Sequence, residues 1–340
     1  TPDGLPVHYR DQGCQDCPAI ILVHGSNASL QTFEPLVEIL KDRYRLISYD
    51  QPGHGLTGPH PRDDYSAQVM LGAVAAVVEA TGVEEFAIAG NSMGGWVAWR
   101  YALARSKDVS ALTLISSSGA PPPPNAAKPR LYLGARIMRN PVGRVLAQHI
   151  TPRSMVKESL LENVADDSLV TERMVDRYWE LLRYPGNRRA AALRATADRE
   201  PSYGQRLNEV TAPTLILWGA EDQVVPPYNA DTFHEMIPNS ALQIFDDVGH
   251  LPMEEAPERT AVGVSVAESG ATAATSVAWA AFSEAESGVG LGVGARVTVG
   301  VAVGDAGPAP AEALPMSADA IESLAPPDKT LTERPSCSIK

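Results

Sequence analysis

Cysteine is scarce in this chain of 340 residues: Cys14, Cys17 and Cys337 are all there is. The first two form a CxxC, but no second pair and no histidine cluster completes a zinc site, so no metal is expected. A redox CxxC opens a helix, whereas this one falls in a polar turn between two strand-like runs. The pair is read as inert turn cysteines, with a local disulfide as the alternative. No stretch approaches the roughly 18 consecutive apolar residues that cross a bilayer, so no transmembrane segment is expected. Basic residues are in deficit, 28 Lys and Arg against 41 Asp and Glu, a formal net charge of −13. That balance argues against a nucleic-acid partner, whose phosphates need cations. Nothing calls for a cofactor. The first residue is Thr1 rather than Met, so a leader or anchor upstream would not be seen; compartment and oligomeric state stay open.

What is present is a rhythm. Apolar runs bounded by turn residues alternate with segments of helical period. LPVHYRD (5–11), AIILVHG (19–25), RLISYD (45–50), FAIAG (86–90), ALTLISS (111–117), PTLILWG (213–219) and ALQIFDDVG (241–249) read as strands. QTFEPLVEILKD (31–42), SAQVMLGAVAAVVEATG (66–82), GGWVAWRYALARS (94–106) and YNADTFHEMI (228–237) read as helices, the second closed by Gly82. Strands alternating with helices imply an α/β architecture, a mostly parallel central sheet flanked by helices.

Two regions break the rhythm. From Gly119 to Glu209 the segments are helical, after a run of four prolines at 121–124. This reads as a helical cap (120–209) inserted into a core of residues 1–119 and 210–260. Residues 261–340 are Ala/Gly/Val-rich, low-complexity sequence. A frameshifted ending, a disordered tail and a native extension are the readings it allows, with TAATSVAWAAF (272–282) as a makeshift final helix.

Gly90-Asn91-Ser92-Met93-Gly94 matches G-x-S-x-G, with a strand before it and a helix after it. In that setting Ser92 sits on a tight elbow that holds its hydroxyl out at a helix N-terminus. A serine hydroxyl needs a base, and the base an orienting acid. Of the seven histidines, His250 lies in a Gly-containing loop past the last strand and is the expected base. His24 is expected to support the loop beneath the site, and His54 to shape a neighbouring turn. Asp222, just beyond the strand 213–219, is the expected acid. Glu221 is its rival, and Asp246 and Asp247 are read as surface residues. The backbone N–H groups of Met93 and Ser26 are the expected oxyanion donors. Asn27, Trp179 and Leu251 are candidate pocket residues, with Tyr132, Met138, Met155 and Tyr178 as further cap residues that would line a pocket or pack the helices.

The order Ser92, Asp222, His250 at successive strand ends resembles the α/β-hydrolase superfamily over about residues 3–260, on the segments LVHGSNAS, YDQPGHGLTGP, GNSMGG, PTLILWGAEDQVVP and VGHLPMEEAPE. The resemblance implies the α/β-hydrolase fold and a serine-dependent triad. It implies a small-molecule substrate, and carboxylic esters of short to medium acyl chain are the leading reading. GNSMGG is also the elbow of the carbon–carbon hydrolases of meta-cleavage products. Those enzymes tend to carry a glycine-rich loop where this chain has HGSNAS, and Trp where this chain has Leu251. A non-catalytic ligand-binding relative is the third reading.

Overall fold

The computed structural model describes residues 1–124, 126, 133–197, 200–268 and 297–298. All of them lie in one compact unit, Thr1–Gly304. Its centre is set by short apolar runs with no polar alternation. In β2 (Ala19–Val23) every residue is buried; Ile21 and Val23 join one apolar layer, Ile20 and Leu22 the other. A strand covered on both faces belongs in the middle of a parallel sheet.

In chain order β1 (Tyr9–Gly13) and β2 are followed by α1 (Glu34–Leu40), β3 (Arg45–Tyr49), α2 (Ala67–Thr81), β4 (Phe86–Asn91), α3 (Met93–Ala104) and β5 (Val109–Ile115). Then come α4 (Leu133–Arg139), α5 (Pro141–Ala147), α6 (Arg153–Leu161), α7 (Glu172–Leu182) and α8 (Asn187–Arg194), with no described strand among them. The sheet resumes with β6 (Thr214–Gly219), α9 (Tyr228–Met236), β7 (Ser240–Phe245), α10 (Pro252–Glu255) and α11 (Pro257–Glu268), and ends at the two-residue β8 (Val297–Thr298). The strand order is β1-β3-β2-β4-β5-β6-β7-β8. β3 to β7 run parallel, and β1 and β8 pair antiparallel at the two edges.

Both helical layers follow from spacing. On α2 the buried Met70, Ala73, Val74 and Val77 recur at helical period and turn toward the sheet. Burying Met70, Val74 and Val77 contributes about 1.5–3 kcal/mol each, and the methyl group of Ala73 less. Gly82 then ends the helix at φ 68°, a left-handed value that costs glycine little. On the opposite face Leu36 and Leu40 of α1 pack with Met253, Ala261 and Val264.

Two expectations change here. Cys14 and Cys17 are joined by a disulfide: the turn closes through Cys17 N–H to the Cys14 carbonyl (3.2 Å) and brings the Cα atoms to 5.3 Å, within bonding range. The tail boundary drawn at 261 falls inside α11, which continues to Glu268 with Thr260, Ala261 and Val264 buried. Small residues let that helix close on the sheet without a stripe of large ones; a Cβ on Gly263 would already press on Leu215 and Leu217. The segment 272–282 lies outside the described residues.

Candidate active site

Ser92 occupies the single residue between β4 and α3, at φ 55° and ψ −118°. Such a conformation costs a non-glycine residue about 1–3 kcal/mol and persists only where its surroundings enforce it. Here Ser92 N–H donates to the Ile115 carbonyl (3.0 Å), and the Ser92 carbonyl accepts from Ser118 N–H (3.0 Å) and Trp96 N–H (3.2 Å). The flanking glycines make the close approach possible. A Cβ on Gly94 would collide with the Val23 carbonyl, and one on Gly90 with Gly94 itself.

The residue pairing foreseen beyond β6 and β7 is present. His250 Nδ1–H donates to Asp222 Oδ2 at 2.7 Å, with both side chains almost wholly buried. The other carboxylate oxygen accepts from the N–H groups of Val224 (2.8 Å) and Val225 (2.9 Å). Asp222 is thereby fixed in orientation, the proton of His250 is fixed on Nδ1, and Nε2 is left as the basic nitrogen. Glu221 points to solvent, as its place beside Asp222 on an irregular loop dictates. Asp247 is exposed and pairs with Arg259.

Ser92 and His250 line one cavity of about 340 Å³. Among the described residues no hydrogen bond closes the gap between them. Ser26, Asn27 and Leu251 line the same cavity, as do Met138, Met155 and Tyr178. Ser26 Oγ lies 3.3 Å from Met93 Sδ, so the loop after β2 and the first residue of α3 converge beside Ser92. Asn27 stands at φ 60° and accepts from Arg194 at 3.2 Å. Trp179 departs from expectation: it is turned away from the cavity, with Nε1–H on the Thr151 carbonyl (2.9 Å) and Arg183 stacked over its ring. Neighbours on a helix point about 100° apart, so only one of the pair can face inward, and Tyr178 does. Tyr132 lies outside the described residues.

Three positions that sequence reasoning did not single out hold the His250 loop. His250 N–H donates to the Asn163 carbonyl (2.7 Å), and the His250 carbonyl accepts from Asn91 Nδ2–H (3.1 Å). Glu255 accepts from Gly249 and Leu251 N–H, on either side of His250, and from Ala165 N–H, at 3.0, 3.0 and 2.7 Å. Burial pushes the Glu255 carboxyl up, against the pull of those three donors. The only sequence hint was a glutamate five residues after the histidine.

His24 is buried and both its ring nitrogens are used: Nδ1–H donates to the Gly25 carbonyl (2.7 Å) and Nε2 accepts from Gln51 N–H (3.0 Å). His54 lies edge-on to it, ring centres 5.0 Å apart. Burial lowers both below the ordinary imidazole value of 6.5, His54 well below. Unfolding therefore takes up protons near that value while the folded protein does not. The stability contributed by keeping this pair neutral is fully present above about pH 6.5 and is lost progressively as pH drops below it. Thermal melting across pH 8 to 5 should show this acid-side loss, and His54→Gln should flatten it. A melting point unchanged from pH 7 to 5 would contradict the neutral buried pair.

A sequence profile described as the alpha/beta hydrolase fold matches residues 18–257. An uncharacterised hydrolase, YugF, of Bacillus subtilis is 29% identical over 264 residues, covering 76% of this chain and 92% of its own length. A 2-hydroxy-6-oxononadienedioate/2-hydroxy-6-oxononatrienedioate hydrolase of Pseudomonas putida is 28% identical, covering 72% of this chain and 85% of its own. Among solved structures, a meta-cleavage product hydrolase of Pseudomonas fluorescens superposes with a TM-score of 0.64 at 23% identity, over 76% of this chain and 92% of that one.

Proposed function

Given that the chain belongs to the alpha/beta hydrolase family, we propose that it is a serine carboxylesterase acting through Ser92, His250 and Asp222. The observation that carries this reading is the 2.7 Å bond that fixes the His250 proton on Nδ1, in a ring that shares a cavity wall with the strained Ser92. Ser92 Oγ attacks the ester carbonyl as His250 Nε2 takes its proton. The imidazolium so formed is stabilised by Asp222 and protonates the departing alcohol. The same nitrogen then activates water to release the acid. The tetrahedral oxyanion is received by the N–H groups of Met93 and Ser26. Contacts between nucleophile and base often lengthen in empty sites and tighten on substrate. A cavity of about 340 Å³ is at the small end of ligand sites and suits short to medium acyl chains. The helices α4 to α8 act as the cap that shapes it.

Hydrolysis of a carbon–carbon bond in an acidic vinylogous diketone is the second reading. It is favoured by the P. putida relative and by the lining charge: Arg139, Arg188 and Arg194 face the cavity, and no described lining residue is acidic. Against it stands Leu251, a buried aliphatic side chain beside the base. Parallel assays with p-nitrophenyl butyrate and a 2-hydroxy-6-oxo-dienoate decide between them. Turnover of the ester alone is the expected result. Turnover of the dienoate alone replaces the first reading by the second, and turnover of neither removes both.

A further inference from the structure

The helical insertion reaches back to the turn after β2 through Arg194, the last residue of α8. Arg194 is 5% exposed and lines the cavity together with Ser26, Asn27 and Ser92. Its guanidinium is used as a fork. Nη1–H donates to the Gly53 carbonyl at 2.6 Å, and Nη2–H donates to Asn27 Oδ1 at 3.2 Å. The Gly53 prong is seated tightly, since a Cβ on Gly53 would fall 2.5 Å from Nη1. The loop that carries Gly53 is itself braced against both sides of the turn it faces. Gln51 N–H donates to His24 Nε2 (3.0 Å), and Asp50 Oδ1 accepts from Leu30 N–H (2.9 Å). One prong of the fork therefore rests on a fixed point, and the other holds Asn27 relative to it.

Asn27 is where the turn needs holding. Gly25, Ser26, Asn27 and Ala28 form a turn closed by Ala28 N–H on the Gly25 carbonyl, a long bond of 3.4 Å. That carbonyl also accepts from the His24 ring at 2.7 Å, so the turn is closed loosely from within. Its third residue, Asn27, stands at φ 60°, a left-handed value that asparagine tolerates better than most side chains. Ser26 N–H makes no hydrogen bond among the described residues. It is the proposed donor to the tetrahedral oxyanion, and its aim follows the turn. Such a donor contributes most when it is placed before the charge develops. A turn with a weak closing bond does not supply that placement alone.

We propose that Arg194 is a positioning residue for the oxyanion site: through Asn27 it fixes the turn, and the turn aims Ser26 N–H at the oxygen that gathers negative charge. The inference rests on the esterase reading of Ser92 and His250. It puts one oxyanion donor under the control of the helical insertion, while the other, Met93 N–H, belongs to α3. A bare cation beside the cavity would also favour an oxyanion. Lysine keeps such a charge, but its single nitrogen lacks the planar fork that spans Gly53 and Asn27.

The test is steady-state hydrolysis of p-nitrophenyl butyrate, with inhibition by butyl trifluoromethyl ketone. Ser92 Oγ adds to the ketone carbonyl carbon, its proton passes to His250, and the carbonyl oxygen becomes an oxyanion in the same site. Arg194→Gln, Arg194→Lys and Asn27→Gly should each lower kcat about 10–100-fold, less than the loss of a whole donor. KM should stay within about two-fold of the parent, and the Ki of the ketone should rise as kcat/KM falls. Asn27→Gly keeps the left-handed backbone unstrained and removes only the acceptor, so it reads the contact even if the Arg194 variants melt early. Arg194→Gln added to Asn27→Gly should cost little more, because both remove one contact. Arg189→Gln, exposed on the same helix and paired with Asp63, should match the parent. Parental activity in Arg194→Lys would assign the effect to charge, and a loss confined to KM would assign Arg194 to substrate binding. Either overturns the proposal, as does an unchanged Asn27→Gly or an Arg189→Gln as impaired as Arg194→Gln. Each of these leaves the esterase reading standing if Ser92→Ala abolishes turnover. A parent inert toward both ester and ketone removes that reading, and the proposal with it.

Discussion

Ser92→Ala is expected to lower kcat for p-nitrophenyl butyrate by roughly 10⁴–10⁶-fold, the scale on which serine hydrolases lose their nucleophile. KM should change little, because the cavity walls are left in place. The fold should also survive, since alanine keeps the Cβ and meets the same backbone restraints from Ile115, Ser118 and Trp96. Alanine does not relieve the strain at φ 55°. Glycine does, so Ser92→Gly should be equally inactive and melt above both parent and alanine variant, by an amount equivalent to about 1 kcal/mol. Stored strain at the nucleophile would then be visible as stability regained when function is given up. Hydrolysis by Ser92→Ala within tenfold of the parent would remove Ser92 from the reaction.

Asp222→Asn is expected to cost about 10⁴-fold in kcat, the penalty known for a triad histidine held in the wrong tautomer. The reason lies in the bonds of Asp222. Its Oδ1 accepts from two backbone N–H groups, Val224 and Val225, and they will hold the amide oxygen of asparagine in that place. The amide nitrogen then faces His250 and donates to Nδ1, which forces the imidazole proton onto Nε2. The nitrogen facing Ser92 becomes a donor and cannot take its proton. Steady-state kinetics and near-ultraviolet circular dichroism of the variant check this. A loss below tenfold in a folded protein would show that Asp222 does not orient the base.

Much of the core was legible because parallel strands advertise themselves. AIILV, FAIAG and TLILWG lack alternation, and each ends where a turn residue begins. The places of Ser92, Asp222 and His250, the proposed catalytic side chains, were legible for a related reason: each follows a strand. Contacts made through the backbone were not. The partners of Glu255 are three backbone N–H groups, and Asn163 offers a backbone carbonyl, so no second side chain marks either contact in the sequence. Trp179 was misplaced because amphipathic spacing identifies a helix face but not which of two adjacent aromatics ends inside. The Cys14–Cys17 bond depends on how tightly a turn closes, which composition does not state.

The carboxylate of Glu255 also bears on how far this protein can be re-tailored. It binds both flanks of His250 and, at the same time, Ala165, which belongs to the helical insertion rather than to the sheet. With His250 N–H on the Asn163 carbonyl, this histidine is suspended between two parts of the chain that are more than 80 residues apart in sequence. The insertion is therefore not a detachable lid. A chimera that borrows its helices from a relative to gain a new pocket will inherit a misaligned histidine unless it keeps residues 163–165 and their glutamate, whereas grafts confined to α4 and α5 leave that suspension untouched.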